Sequence, residues 1–222
     1  VAVGGGFDVP VAMNSRSTYL RARIGGYEGR ALAAGDRIGF GAPSRHSERL
    51  LRLLRQQADE DGYAASPWSV TRDLIPRYRP DPTVRVVQGQ EYELFDEESV
   101  YRFLHEPFTV SPQSDRMGYR LQGSPLALQI KREMLSSAVT FGTVQVPADG
   151  NPIVLMADRQ TTGGYPKIAQ VIANDLPLLA QTNLGGKVRF RLVTLREAQQ
   201  KHVAQQLAMR ALRRELEQIA SS

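Results

Sequence analysis

Glycine and proline interrupt this chain at short intervals, with 19 glycines and 13 prolines in 222 residues. Between them lie apolar, often β-branched segments: Val84 to Val87, Phe108 to Val110, Tyr119 to Gln122, Val139 to Val146, Ile153 to Ala157 and Val188 to Val193. Short runs of this kind bounded by turn residues read as strands. Many short strands with Gly/Pro turns predict a mainly-β barrel with few helices. Residues 1 to 41 read the same way, as short segments such as Tyr19 to Ile24 and Arg37 to Phe40 between glycine turns.

Helix is expected in three places. Pro43 to Gly62 carries Leu50, Leu51, Leu53 and Leu54 at near-helical spacing, a short helix inside a mobile excursion over about 42–82. Asp96 to Leu104 reads as a short helix with Asp96 as its N-cap. From Thr194 to Ile219 neither Gly nor Pro occurs. Leu195, Ala198, His202, Ala208 and Leu212 mark one stripe there, extended by Leu216 and Ile219, and Thr194 with Glu197 forms a capping box. Residues 194–222 are therefore expected as a long C-terminal helix folded back on the barrel. Ile168 to Asn174 fits either a short helix or a strand.

Composition narrows the function classes. Apolar residues make up 41% and charged residues 23%, ordinary for a soluble globular protein. The formal charge is +5, from 24 Arg and 4 Lys against 23 acids. No aromatic-interleaved basic stripe accompanies it, so a solvated surface is expected and not nucleic-acid binding. There is no cysteine, hence no disulfide or thiolate chemistry, which fits a cytoplasmic protein. No apolar run reaches membrane-spanning length. Gly185-Gly186-Lys187 lacks the spacing of a phosphate loop. His46, His105 and His202 are scattered, without zinc-ligand spacing, and no Gly-x-Ser-x-Gly elbow occurs.

Two polar loops remain as candidate sites. Asp158 to Pro166 reads Asp-Arg-Gln-Thr-Thr-Gly-Gly-Tyr-Pro, directly after an apolar strand. That is more hydrogen-bonding capacity than a chain reversal needs. Ser111 to Arg120 sets Asp115 beside Arg116, followed by Gly118 and Tyr119. Asp115 and Asp158 are candidate general bases. Arg116 suits a carboxylate through its planar fork. Gln145, Gln160, Thr161 and Thr162 suit an amide or lactam. Gly163 and Gly164 can present backbone N–H groups to an oxyanion. Tyr165 can cover a ligand, and Lys167 adds positive charge. An elaborate turn and a surface ion pair are the plain alternatives for both loops.

The motifs resemble those of the biotin-dependent carboxyltransferase-like family, also called allophanate hydrolase subunit 2. They are Ser114-Asp115-Arg116-Met117-Gly118-Tyr119-Arg120-Leu121, Gly142-Thr143-Val144-Gln145-Val146-Pro147, Gly150-Asn151-Pro152-Ile153, and Asp158 to Pro166 with Lys167-Ile168-Ala169. Gly4-Gly5-Gly6-Phe7-Asp8-Val9-Pro10, Ser15-Arg16-Ser17-Thr18 and Gly25-Gly26-Tyr27-Glu28-Gly29-Arg30 with Gly35-Asp36 extend the match to the first residues. The resemblance implies a cyclophilin-like β-barrel over residues 1–193. Family members begin upstream of Gly-Gly-Phe-Asp-Val-Pro, so this domain is expected to be N-terminally incomplete.

Within the family the resemblance is to the 5-oxoprolinase branch. It implies ATP-dependent opening of 5-oxoproline to L-glutamate together with partner subunits A and B, with ATP at a subunit interface and no activity of the chain alone. Carboxyl transfer between biotin and urea or a related amide is the enzymatic alternative. A KipA-like regulatory protein that binds a KipI-like histidine-kinase inhibitor is the non-enzymatic one.

Overall fold

The computed structural model describes residues 2–130 and 133–219, which form a mainly-β protein organised as two compact units. The first comprises residues 2–69 with 210–219. There β1 (Phe7–Asp8) pairs antiparallel with β2 (Gly39–Phe40), and the Phe7 and Phe40 rings lie 6.3 Å apart. The Arg30 fork grips Asp36 through two bonds of 2.8 Å, and Asp36 also accepts from the Ala33 N–H. These donors hold the Asp36 carboxyl down at about 2. The expected leucine-rich helix is α1 (Arg45–Arg55), capped by the Ser44 hydroxyl on the Ser47 N–H. The segments read as strands in this unit are mostly turns; Tyr19 and Ile24, for example, meet in a single bridge.

Residues 70–209 form the second unit, built on a closed barrel. Its strands are β3 (Thr83–Gln88), β4 (Phe108–Val110), β5 (Gly118–Gln122), β7 (Thr143–Gln145), β8 (Ile153–Leu155), β10 (Lys167–Val171) and β11 (Lys187–Leu192). The ring order is β10-β3-β11-β4-β5-β8-β7. The β3–β11 pair is parallel, and the other neighbours in the ring are antiparallel. A separate two-stranded ribbon joins β6 (Ser137–Ala138) to β9 (Thr162–Gly163). Helices α2 (Glu97–His105) and α3 (Leu176–Ala180) belong to this unit; α4 (Leu195–Ile219) starts in it, and its residues from 210 onward group with the first.

The barrel interior follows from period-two patterning. Along β3 and β11 the residues Val84, Val86, Val188 and Phe190 are sealed, while Thr83, Lys187, Arg189 and Arg191 face outward. Phe103 of α2 packs against this interior, its ring stacked on Phe190 at 4.5 Å and near Phe108 at 6.2 Å. Each such fully buried aromatic contributes roughly 1.5–3 kcal/mol. Asp96 caps α2 by accepting from the Ser99 N–H at 2.6 Å. The predicted strand Val139 to Val146 is broken: Gly142 takes φ +88°, and the Thr140 N–H turns back onto the Thr143 hydroxyl. Only Thr143–Gln145 remains in the ladder. Ile168 to Asn174 resolves into β10 followed by a 3-10 turn at Ala173–Asp175.

Two polar devices hold the helices to the barrel. Asp175, 1% exposed, accepts from the Arg85 backbone N–H at 2.7 Å and from its guanidinium at 2.8 and 2.5 Å, and these bonds raise the Arg85 pKa. Asn174 reaches α4, donating to the Lys201 carbonyl and to Gln205. No residue of α4 is buried; of the expected stripe Ala198, Ala208, Leu212 and Ile219 are half-buried, and Leu195 and His202 are exposed. The capping box forms, with Glu197 accepting from the Thr194 N–H at 2.7 Å and the Thr194 hydroxyl capping the Glu197 N–H at 3.2 Å.

Asp175→Ala strands the Arg85 guanidinium against the barrel and is expected to cost about 2–3 kcal/mol, the low end for a broken pair because Arg85 is partly exposed. Urea denaturation measures it, and a loss below about 0.5 kcal/mol would make the pair dispensable. A second expectation concerns pH. The Thr194 N–H and hydroxyl hold the Glu197 carboxyl below its ordinary range. A carboxyl depressed in the folded state stabilises above its unfolded-state pKa, and that contribution is lost as pH falls through the folded value. Thr194→Ala keeps the backbone donor and removes only the hydroxyl, so it should move the Glu197 midpoint part of the way upward in an NMR titration, and an unmoved midpoint would remove the hydroxyl from the causes of the depression.

Candidate functional site

The loop between β4 and β5 is organised by its own side chains. Asp115 Oδ1 accepts from the backbone N–H of Met117 at 2.8 Å and of Gly118 at 3.3 Å, and the Asp115 N–H donates to the Gly118 carbonyl. This is an Asx-type turn, so the Asp115 carboxylate shapes the backbone. The turn delivers Arg116 to the loop that follows β8. Arg116 Nε donates to Asp158 Oδ2 at 2.8 Å and Nη2 donates to Oδ1 at 3.1 Å. Backbone bonds from Asp158 N to Arg116 O and from Met156 N to Met117 O extend the β5–β8 ladder into both loops. The two polar loops therefore meet. The residue read as a base and the residue read as a carboxylate clamp bind each other, and this raises the Arg116 pKa. The pair is open to water, with side-chain exposures of 74% and 38%.

The second loop is tied down by backbone pairing. The Thr161 carbonyl accepts from the Val139 N–H at 3.0 Å, and Thr162 and Gly163 pair with Ala138 and Ser137. Gln160, Thr161, Thr162, Gly164 and Tyr165 are exposed along it, while Gly163 is buried. A Cβ on Gly163 would come within 2.3 Å of Gln145 Nε2, so any side chain there collides with the amide beneath. The constraint at Gly163 comes from this close approach and not from its backbone angles, and a side chain there would have to displace the Gln145 amide. Gly164 is less constrained, its nearest contact for a Cβ being Ser136 Oγ at 3.3 Å.

Gln145 and Lys167 are cross-strand partners on β7 and β10, and both are sealed, at 1% and 5% exposure. Lys167 is not a free cation. Its Nζ lies 3.4 Å from Glu91 Oε2, its backbone N–H donates to the same oxygen at 2.9 Å, and the Glu91 N–H donates to the Lys167 carbonyl at 3.2 Å. Glu91 carries no sequence signal, because its partner lies 76 residues away. The register shift in β10 between Lys167 and Ala169 falls at this pair.

Beside the second loop lies a cleft of about 740 Å³ walled by Phe95, Leu126, Leu128, Met134, Val146 and Tyr165. Its size and apolar walls suit a small organic molecule. It takes in Gly164 and Tyr165 of the predicted set, while Asp115, Arg116 and Asp158 lie outside its lining. Among the described residues no group of three His, Asp or Glu is placed to hold a metal ion, and no helix is long and apolar enough to cross a membrane.

Comparison with known proteins places this geometry. Residues 1–192 match the family described as carboxyltransferase domain, subdomain A and B. The chain is 46% identical over 198 residues to the C subunit of 5-oxoprolinase from Haemophilus influenzae, covering 89% of this chain. It is 42% identical over 198 residues to the Escherichia coli protein of the same name, again covering 89%. It spans 57% of the length of each of these relatives. Among solved structures the K. lactis urea amidolyase superposes with TM-score 0.75 at 23% identity, over 93% of this chain and 13% of that one. That likeness shows the shared fold. With the loop motifs carried on a closed barrel and a family match over residues 1–192, the chain belongs to the carboxyltransferase domain, subdomain A and B family.

Proposed function

We propose that the chain acts as one component of an ATP-dependent 5-oxoprolinase, working in the cytoplasm with partner subunits A and B to open 5-oxoproline to L-glutamate. The observation that carries this reading is its 46% identity to a protein named as the C subunit of 5-oxoprolinase. The site is compatible with it. A five-membered lactam offers one carbonyl, one N–H and one carboxylate, and the 158–167 loop with Gln145 supplies groups that complement all three. In this reading the KipI-like partner is the B component of the complex.

The chemistry explains why a lone chain would not suffice. Amide resonance protects a lactam from water. Transfer of the γ-phosphoryl group of ATP to the lactam oxygen, with release of ADP, turns that oxygen into a leaving group. Water then adds to the activated carbon, the C–N bond breaks with the nitrogen taking up a proton, and the acyl phosphate left behind is hydrolysed by a second water to L-glutamate and phosphate. The loops do not fit a triphosphate unaided: Arg116 is neutralised by Asp158, Lys167 by Glu91, and the Gly163 backbone is engaged in the β6–β9 ribbon. Nucleotide binding is therefore assigned to a subunit interface that draws on the partner subunits, and this chain's loop residues to positioning the lactam. The distant likeness to urea amidolyase carries the fold and not the substrate.

Two outcomes test this reading. The purified chain alone should release no glutamate from 5-oxoproline and ATP, whereas the chain mixed with subunits A and B should. In that complex Asp158→Asn should lower turnover about 10²-fold. An exposed pair contributes at most about 1 kcal/mol, so the same variant should melt close to wild type. Wild-type turnover in Asp158→Asn would reduce the Arg116–Asp158 pair to a loop brace, and glutamate release by the lone chain would refute the division of labour.

A further inference from the structure

Four buried side-chain polar atoms lack a hydrogen-bond partner among the described residues, and three of them are Gln145 Nε2 on β7, Ser137 Oγ on β6 and Arg159 Nε on the loop that crosses these strands. A sealed donor without an acceptor opposes folding, so each of the three calls for an explanation. Ser137 pairs in register with Gly163, and Gly163 lies directly over the Gln145 amide. Arg159 enters the same loop four positions earlier, and the Val139–Thr161 bond ties that loop to the strand carrying Ser137.

The cations of the two polar loops divide sharply. Arg116 holds Asp158 and Lys167 holds Glu91. Arg120 is exposed, so water serves its guanidinium. Arg159 differs from all three: its Nε is shut away from water, and no carboxylate of the described chain answers it. The three unpaired atoms are an arginine Nε, an amide nitrogen and a hydroxyl oxygen. All are donors, and their common complement is an oxyanion with two adjacent oxygens.

We infer that Arg159, Gln145 and Ser137 form a carboxylate-binding site at the Gly163 crossing. The inference deepens the function proposed above by assigning the carboxylate of the lactam substrate to these residues in place of Arg116. A carboxylate is favoured over a phosphate because one guanidinium matches one negative charge and the neighbouring cations are already neutralised. Access requires β9 to part from β6, and that ribbon has only two pairs in register.

The test is titration calorimetry on the full chain with three probes. They are 5-oxoproline, cyclopentanecarboxylate (carboxylate without lactam) and 2-pyrrolidinone (lactam without carboxylate). The wild-type chain should bind both carboxylates at least ten-fold more tightly than 2-pyrrolidinone. Arg159→Gln should weaken both carboxylates ten-fold or more, Arg159→Lys should recover part of that loss, and Ser137→Ala should weaken them a few-fold. Thermal melts confirm that each variant is folded. Arg159→Gln binding like wild type, 2-pyrrolidinone binding as tightly as 5-oxoproline, no carboxylate binding by the wild-type chain, or inorganic phosphate held in preference would each overturn the site. Arg159-dependent carboxylate binding without glutamate release by the assembled complex would support this site while removing the oxoprolinase reading.

Discussion

Strands β3 and β11 lie side by side and parallel, Arg189 against Thr83 through Leu192 against Val86. Every other feature of the second unit is arranged around that ladder. β10 takes the free side of β3, β4 takes the free side of β11, and the antiparallel run β4-β5-β8-β7 returns to β10 to close the ring. Arg85 sits inside the ladder and reaches Asp175, fastening the turn that leads into α3. The two polar loops are continuations of this ring. One lies between β4 and β5, the other follows β8, and their meeting at Arg116 and Asp158 is the β5–β8 pairing carried two residues further.

Charge is spent differently at three places. Arg116–Asp158 stands in water and fixes loop position more than stability. Lys167–Glu91 is enclosed, with side-chain exposures of 7% and 11%, so each ion needs the other to offset its lost hydration. Glu91 also accepts from the Lys167 backbone, which makes the pair a register pin where β10 bulges. Among the described residues Arg159 alone keeps a buried, unanswered guanidinium nitrogen, whereas the other cations of the two polar loops are exposed or paired.

Local signals were legible in the chain. The Asp96 cap, the Thr194–Glu197 box, the strands at Phe108–Val110 and Val188–Leu192 and the leucine-rich helix each depend on neighbours within a few residues. The broken strand before β7 was not legible, because Gly142 and Thr143 form a turn whose bonds compete with a plausible β pattern. The partnership of Arg116 with Asp158 spans 42 residues, and Glu91 with Lys167 spans 76. Composition shows that such residues are present, but the barrel register decides which of them touch. Asp158 therefore reads as a free base in sequence and stands as a braced carboxylate in the fold.

The parallel ladder also has a consequence in time. Its two strands are far apart along the chain, the nearby bond from Lys187 to Asp81 spanning 106 residues. A growing chain makes β3 long before β11, so β3 must wait with its valines uncovered on the edge facing β11. Such non-local closure slows folding and leaves an open strand edge available to other chains. The last barrel strand to be synthesised thus acts as the seal that ends a period of vulnerability. Translation speed and chaperone contact between Gln88 and Lys187 would govern how much of this polypeptide reaches its finished form.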